Sequence, residues 1–555
     1  MRLYIFLLSL FVAPLAAQEL VWERNGATGN MVLVSDDTSA SVANVGDLDK
    51  DGCEDLLVIG ENLVTGYRSE LFFLSGRNGR TLRRVPEPYP FEYYFINVAA
   101  AGDMNGDGTP DYLTLSWEYL RRTPNRLEVR SGHDDAVLWK VERPPWEAFG
   151  HALLGGVDLD GDKRPDVVAT APYYWNGGRY GAVFAYRNSG EPLWQVIGTP
   201  ELTPGLPTFW NTLGRVGDLD GDGGDDIVVG GVDAAGNGGA GGAGGLVLSG
   251  RTGQLLLSGL GPPGVQIGDC CQGCGDLDAD GVPDFAVGSL YANLLYAFSG
   301  RDGHQLYRWQ DSTLGAAVRA GVDFDLDGVP DIVAGAIGFR RPDGRSGALF
   351  AFSGRDGTPL MRIDPRPGYG SGGSFAAKLA LLAPQPGNPF PLLAIGDPRA
   401  NAGIPDLGRV TVYRTAPPGV QPLGAACAGT LARAPRIGIA GLGVLASEGV
   451  RVHLSNAPPA TPALLLFGFS KTTWGSIPLP LALDVLGFRG CELFTSVDVA
   501  VPVTTGTTGN DLGYASFDLL LPLGAGSGSM YMQWLVLGQG AGAPGGLSAA
   551  LEWSR

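Results

Sequence analysis

Nine residues, DLDGDGGDD from Asp218 to Asp226, limit what this chain can fold into more than any other stretch. Carboxylates stand at loop positions one, three, five and nine (Asp218, Asp220, Asp222 and Asp226), and Gly223 is at position six. Four anions so close together repel one another unless a cation sits among them. Hard carboxylate oxygens, with no thiolate or imidazole in the loop, suit Ca2+ better than zinc or copper. Gly223 allows a sharp turn at positive φ, so the carbonyl of Gly224 at position seven can point inward as a further ligand. An EF-hand would need a Glu at position twelve and a helix beyond it. Position twelve is Val229, within the β-branched run IVVGG, so the loop leads into a strand.

The device recurs five more times. The other copies are Asp47, Asp49, Asp51 and Asp55 with Cys53 at position seven, then Asp103, Asn105, Asp107 and Asp111 with Thr109. Next come Asp158, Asp160, Asp162 and Asp166 with Arg164, then Asp276, Asp278, Asp280 and Asp284 with Val282. The last is Asp323, Asp325, Asp327 and Asp331 with Val329. Successive first aspartates are 56, 55, 60, 58 and 47 residues apart. One acidic cluster is ordinarily a solvated turn, but six at a near-constant period are a repeat architecture, and up to six Ca2+ are expected. The third copy has Lys163 where the others have Gly, which makes it the weakest candidate.

Around each loop the same strands return. A short apolar segment precedes it (LGRVG) and a buried strand follows (DIVVGG, DFAVGS). A third strand (GALFAFSG) then runs into the turn SGRNG, SGRTG or SGRDG, whose glycines suit a tight hairpin with a bulge. The last strand carries an aromatic residue: VLWKV, PLWQV, LYRW. Four short antiparallel strands per fifty to sixty residues describe a propeller blade. Residues 376 to 414 repeat the strands without the aspartates, as a seventh blade that lacks its fourth strand. Leu20, Val21 and Trp22 match that missing strand, so residues 20 to 24 are expected to pair with Gly408 to Tyr413 and close the ring.

Residues 20 to 415 resemble FG-GAP repeat proteins, the family that includes the integrin alpha-subunit propeller. VGDLDKDGCEDLLVIG, AGDMNGDGTPDYLTLS and VGDLDGDGGDDIVVGG carry the likeness, while FG itself survives only as Phe149-Gly150. The resemblance implies Ca2+ between the first two strands of a blade and ligand binding on the opposite face.

The full organisation expected is all-β: a leader over residues 1–17, a seven-bladed propeller over 18–415, a linker over 416–422 (APPGVQP) and a β-sandwich over 423–555. The C-terminal part also looks like a module of secreted bacterial repeat proteins, through its early Cys, Gly490 to Leu493 and QWLVL; surface attachment or sorting is one role for it. No transmembrane helix is expected, because nothing after the leader offers eighteen consecutive apolar residues. The net charge of −18 argues against nucleic-acid binding, yet 23 of the acids are loop aspartates, and six Ca2+ would bring the balance to −6.

Six cysteines in an exported chain favour disulfides, with Cys427 and Cys491 paired in the C-terminal domain. Cys270, Cys271 and Cys274 read as a local disulfide in preference to a thiolate zinc site, and Cys53 is either free or paired with one of them. His133, His151, His304 and His453 read as surface or turn residues. Trp22, Trp139, Trp194 and Trp309 read as packing between blades in preference to a sugar-stacking row. Carboxylates committed to Ca2+ make poor proton donors, which counts against hydrolysis at the loops.

The expected function is an exported, monomeric adhesion or recognition module for an extracellular protein or polysaccharide, with no catalytic residues assigned. The alternatives are a carbohydrate-active enzyme of the polysaccharide-lyase kind or a lectin on the same scaffold. The variable loops Gly236 to Gly245 and Arg340 to Arg345 rank a lectin with one sugar per blade below single-face binding.

Overall fold

The computed structural model describes residues 3–4, 19–25, 31–33, 42–62, 68–87, 93–118, 123–174, 181–198, 203–204, 213–232, 245–258, 260–262, 265, 267–290, 292–340, 346–365, 370–371, 375–398, 400–401, 408–417, 419–441, 449–520, 528–538 and 544–554. Most of the two variable loops, and the leader apart from Leu3–Tyr4, lie outside these residues.

Strands fall into seven antiparallel sheets in chain order. Blade one is Val42–Asn44, Leu56–Asn62, Arg68–Leu74 and Thr81–Pro86; blade four is Leu213–Gly217, Asp226–Val232, Gly245–Leu248 and Leu255–Leu257. Each of these two sheets gains one short extra strand, Met31–Leu33 or Thr203–Pro204. The second strand of a blade is apolar throughout because both of its faces are covered. In blade three, Val167 and Ala169 pack toward blade two, while Val168 packs toward blade four. Every propeller core cluster is such a layer between neighbouring blades, and each of the seven junctions has one. Innermost strands approach closely: a Cβ on Gly273 of blade five would lie 2.1 Å from the carbonyl oxygen of Arg215 in blade four.

The ring closes through the N-terminus. Leu20–Asn25 pairs antiparallel with Arg409–Arg414, from Leu20 opposite Tyr413 to Asn25 opposite Arg409, completing the sheet of Lys378–Leu382 and Leu392–Asp397. Trp22 thereby enters the core between blades seven and one. The four tryptophans are inter-blade rivets. The indole N–H of Trp22 donates to Gly76 O (2.8 Å), Trp139 to Asn188 O (2.8 Å), Trp194 to Gly250 O (2.5 Å) and Trp309 to Gly357 O (2.8 Å), each in the hairpin turn of the following blade.

The C-terminal part is a pair of packed sheets. One contains Arg436–Gly441, Gly449–Ser455 and Ala515–Leu520, with Leu3–Tyr4 parallel to Leu519–Leu520; the other contains Val420–Leu423, Gly546–Ser554, Ser529–Val536, Pro462–Gly468 and Val499–Thr504. Val420–Leu423, which overlaps the expected linker, is an edge strand of this second sheet. The core centres on the fully buried Trp534 and also takes in Leu326 and Phe390 of the propeller.

Cys427 and Cys491 form a disulfide. The local disulfide expected among Cys270, Cys271 and Cys274 does not form; these three and Cys53 are free and buried. The reason is strand alternation. Cys270 and Cys274 face the layer toward blade six, whereas Cys271 faces the layer toward blade four. Their thiols meet backbone carbonyls instead, Cys270 Sγ that of Gly315 at 3.0 Å and Cys271 Sγ that of Val228 at 3.4 Å. Burial pushes all three thiols up, Cys271 to about 12, so they are unreactive.

Candidate metal centres

Six acidic loops connect the first and second strands of blades one to six. Position nine anchors each loop. One carboxylate oxygen accepts an N–H from position two (Leu48, Met104, Leu159, Leu219, Leu277, Phe324) and the other accepts one from the hairpin turn of the same blade (Gly76, Gly132, Asn188, Gly250, Gly300, Gly354), at 2.6 to 3.1 Å. The first glycine of the SG turn makes this approach feasible: a Cβ on Gly250 would lie 1.8 Å from Asp225 O. Replacing Asp284 by Ala orphans two buried donors, Leu277 and Gly300 N–H, and is expected to cost about 3 kcal/mol in urea unfolding. Asn, which keeps one acceptor, should lose about half as much.

In loops one, three, four and five, positions one, three and nine each bring a carboxylate oxygen within 4.8 Å of the other two. These trios are Asp47, Asp49 and Asp55; Asp158, Asp160 and Asp166; Asp218, Asp220 and Asp226; and Asp276, Asp278 and Asp284. Position one also accepts backbone N–H bonds from within its loop, as Asp218 does from Gly221, Asp222 and Gly223. In loop two, Asp103 accepts the same set from Gly106, Asp107 and Gly108, and the Asn105 amide donates to Asp107 at 2.9 Å.

Position five stands outside these four trios. Its carboxylate accepts the N–H of position seven (Cys53, Thr109, Arg164, Gly224, Val282, Val329) at 2.8 to 2.9 Å, which holds the turn whose carbonyl was expected to point inward. It also meets an arginine from the hairpin turn: Arg77 with Asp51 at 3.8 Å, Arg251 with Asp222 at 3.6 Å, Arg355 with Asp327 at 2.7 Å, and Arg301 with Asp280. In blade three, Arg187 meets Asp160 at position three instead, at 2.9 Å. Reading the loops alone misses these arginines; the recurrent SGR turn was the signal for them.

Loop three keeps the shared geometry although it lacks the glycine. Lys163 takes φ of 67°, the left-handed turn that Gly223 makes at 89°. A non-glycine residue there costs roughly 1 kcal/mol, so Lys163→Gly is expected to stabilise the chain by about that much in urea unfolding.

Without a cation the position-nine carboxyls are uncomfortable. Burial pushes Asp55, Asp166 and Asp226 up to about 6 and Asp284 to about 7. The depressed values expected of calcium-committed carboxylates are therefore not intrinsic to position nine, whereas at position five hydrogen bonds from Asn105 and Arg301 hold Asp107 and Asp280 below the usual range.

Loop six departs from the pattern. Its Asp325 and Asp327 converge with His453 of the C-terminal domain. His453, expected at the surface, is 2% exposed, whereas His133 and His304 are exposed turn residues as read. No signal in the sequence near His453 links it to a loop 130 residues earlier.

Seven blades in a closed ring, six of them bearing an acidic loop at the same edge, define an acidic-loop β-propeller joined to a sandwich. Residues 158–229 match the FG-GAP-like repeat, and the chain is distantly similar to integrin alpha subunits. Integrin alpha-IIb of Mus musculus is 28% identical over 261 residues, 43% of this chain and 24% of that protein. The Homo sapiens protein is 30% identical over 239 residues, 38% of this chain and 21% of its own. The match thus spans under a quarter of these relatives' length. Among solved structures, the biofilm matrix protein Bap1 of V. cholerae aligns over 97% of this chain and 70% of its own, with TM-score 0.31 and 13% identity. A rhamnogalacturonan lyase of Bacillus licheniformis aligns over 72% and 75%, with TM-score 0.39 and 15% identity.

Proposed function

We propose that this chain is an exported, calcium-stabilised recognition module that acts as a monomer and binds an extracellular protein or polysaccharide. The observation that supports calcium is the recurrence of the converging carboxylate trio at one place in successive blades. Oxygen-only ligand sets of this kind suit Ca2+, and extracellular sites tolerate Kd values of about 10⁻⁴ to 10⁻³ M. The disulfide and the integrin likeness support an oxidising, extracellular setting. No helix among the described residues is long and apolar enough to cross a membrane.

Calcium's role in this reading is structural. It neutralises each loop and ties the first two strands of a blade to its hairpin turn through position nine. Recognition then falls to the rest of the ring surface. The test is a glycan and polysaccharide binding screen on the full chain, with and without EDTA, followed by ultraviolet detection of unsaturated uronates. Saturable binding without turnover supports the recognition reading; accumulating product replaces it with a lyase.

A further inference from the structure

The junction between loop six and the C-terminal domain is built unlike the other five loops. Ile439 N–H donates to Asp325 O at 2.8 Å, and Ser455 Oγ donates to Leu326 O at 3.3 Å, so the domain sits directly on the loop. Arg436 reaches Asp323 at 3.8 Å from the rim. Arg355 donates to Asp327 Oδ2 (2.7 Å) and Asp327 O (2.8 Å), lies 3.6 Å over the Tyr514 ring and also donates to Asn510 O. Two guanidiniums therefore hold the carboxylates at positions one and five.

His453 enters from the other side. Its Nε2 lies 3.2 Å from Asp325 Oδ2, an ion-pair distance when the ring is protonated, and neither atom has another polar partner, although both residues are at most 3% exposed. The far nitrogen is accounted for: Nδ1 is 2.7 Å from the Tyr514 hydroxyl. If Nδ1 carries the proton and donates to Tyr514, Nε2 presents its lone pair to Asp325 and Asp327. Ligand atoms of Asp325, Asp327 and His453 all lie within 4.8 Å of one another. A buried imidazole nitrogen facing a buried carboxylate oxygen needs something positive between them, either a proton on Nε2 or a metal ion, and it is the metal that the test below reads.

We propose that loop six and His453 form a mixed nitrogen and oxygen site for a transition-metal dication of the zinc class, which fastens the C-terminal domain to the propeller. Imidazole with carboxylates selects borderline metals, whereas Ca2+ gains little from a nitrogen ligand. His453 adds to this loop a nitrogen that the other loops do not have, beside positions three and five. Because its ligands come from both domains, the ion would bind only the docked arrangement and stabilise it. The proposal does not depend on calcium in the other loops.

The test uses the full chain in about 1 mM Ca2+, to which Zn2+ is added, followed by gel filtration and elemental analysis. One retained zinc equivalent is expected. His453→Ala and the closer-fitting His453→Gln should weaken zinc at least about 100-fold, and Tyr514→Phe about 10-fold. Asp220→Asn in loop four should leave the zinc equivalent unchanged. Co2+ in place of zinc should give visible absorption that His453→Gln alters. If the wild-type chain holds no zinc, or if both His453 variants hold it as well as wild type, the proposal is wrong. Calcium equivalents counted in the same samples report on the other loops separately, so failure of the calcium reading would be seen as such.

Discussion

Removing divalent cations at neutral pH is expected to destabilise the propeller by several kcal/mol, and to do so less as the pH falls. A loop held at ten times its Kd contributes about 1.4 kcal/mol, and the converging loops add together. The pH dependence follows from position nine. Asp55, Asp166, Asp226 and Asp284 have folded values of about 6 to 7, above the unfolded value near 4. In that window the stripped folded state binds more protons than the unfolded chain, so its stability is lost as the pH rises from about 4 through 7. Calcium is expected to reverse the trend, because it would bind the ionised loops and protons would compete with it. Urea unfolding with Ca2+ and with EDTA at pH 7.5 and pH 5 checks this. The gap should be wide at the higher pH and narrow at the lower; an equal gap at both would rule out position nine as the titrating group.

Deleting residues 19–25 is the second large effect expected. It removes the outer strand of blade seven, takes Trp22 from the core between blades seven and one, and bares the edge Arg409–Arg414. Burying a Trp alone is worth about 3 to 5 kcal/mol, and the whole domain has roughly 5 to 15 to lose. The truncated chain should therefore fail to give a cooperative transition and should associate through the open edge. Gel filtration and circular dichroism read both effects. Trp22→Ala, which leaves the strand in place, should cost about 3 kcal/mol and remain monomeric. A truncated chain that stayed monomeric with wild-type unfolding would mean that the ring does not depend on this closure.

The propeller was legible because its signals are local and repeated. Each acidic loop, the strand behind it and the turn after it lie within one stretch of about thirty residues, and each copy confirms the others. The closing strand was legible for the same reason: Leu20, Val21 and Trp22 match a pattern set by VLWKV and PLWQV. What escaped notice depends on side chains that meet across blades or domains. Cys270 and Cys271 are adjacent in sequence, which pointed to a disulfide, but a strand sends neighbours to opposite faces. Arg251 and Asp222 are 29 residues apart, and only the hairpin brings them together. His453 reaches Asp325 through a domain contact that no periodicity encodes.

Joining the first strand to the last blade also sets an order of events during synthesis. Leu20–Asn25 is made early, but its partner Arg409–Arg414 emerges nearly four hundred residues later, a delay on the order of tens of seconds at ordinary translation rates. Throughout that interval the strand bearing Trp22 has no ladder to join. The ring therefore cannot close until residue 414 has been made.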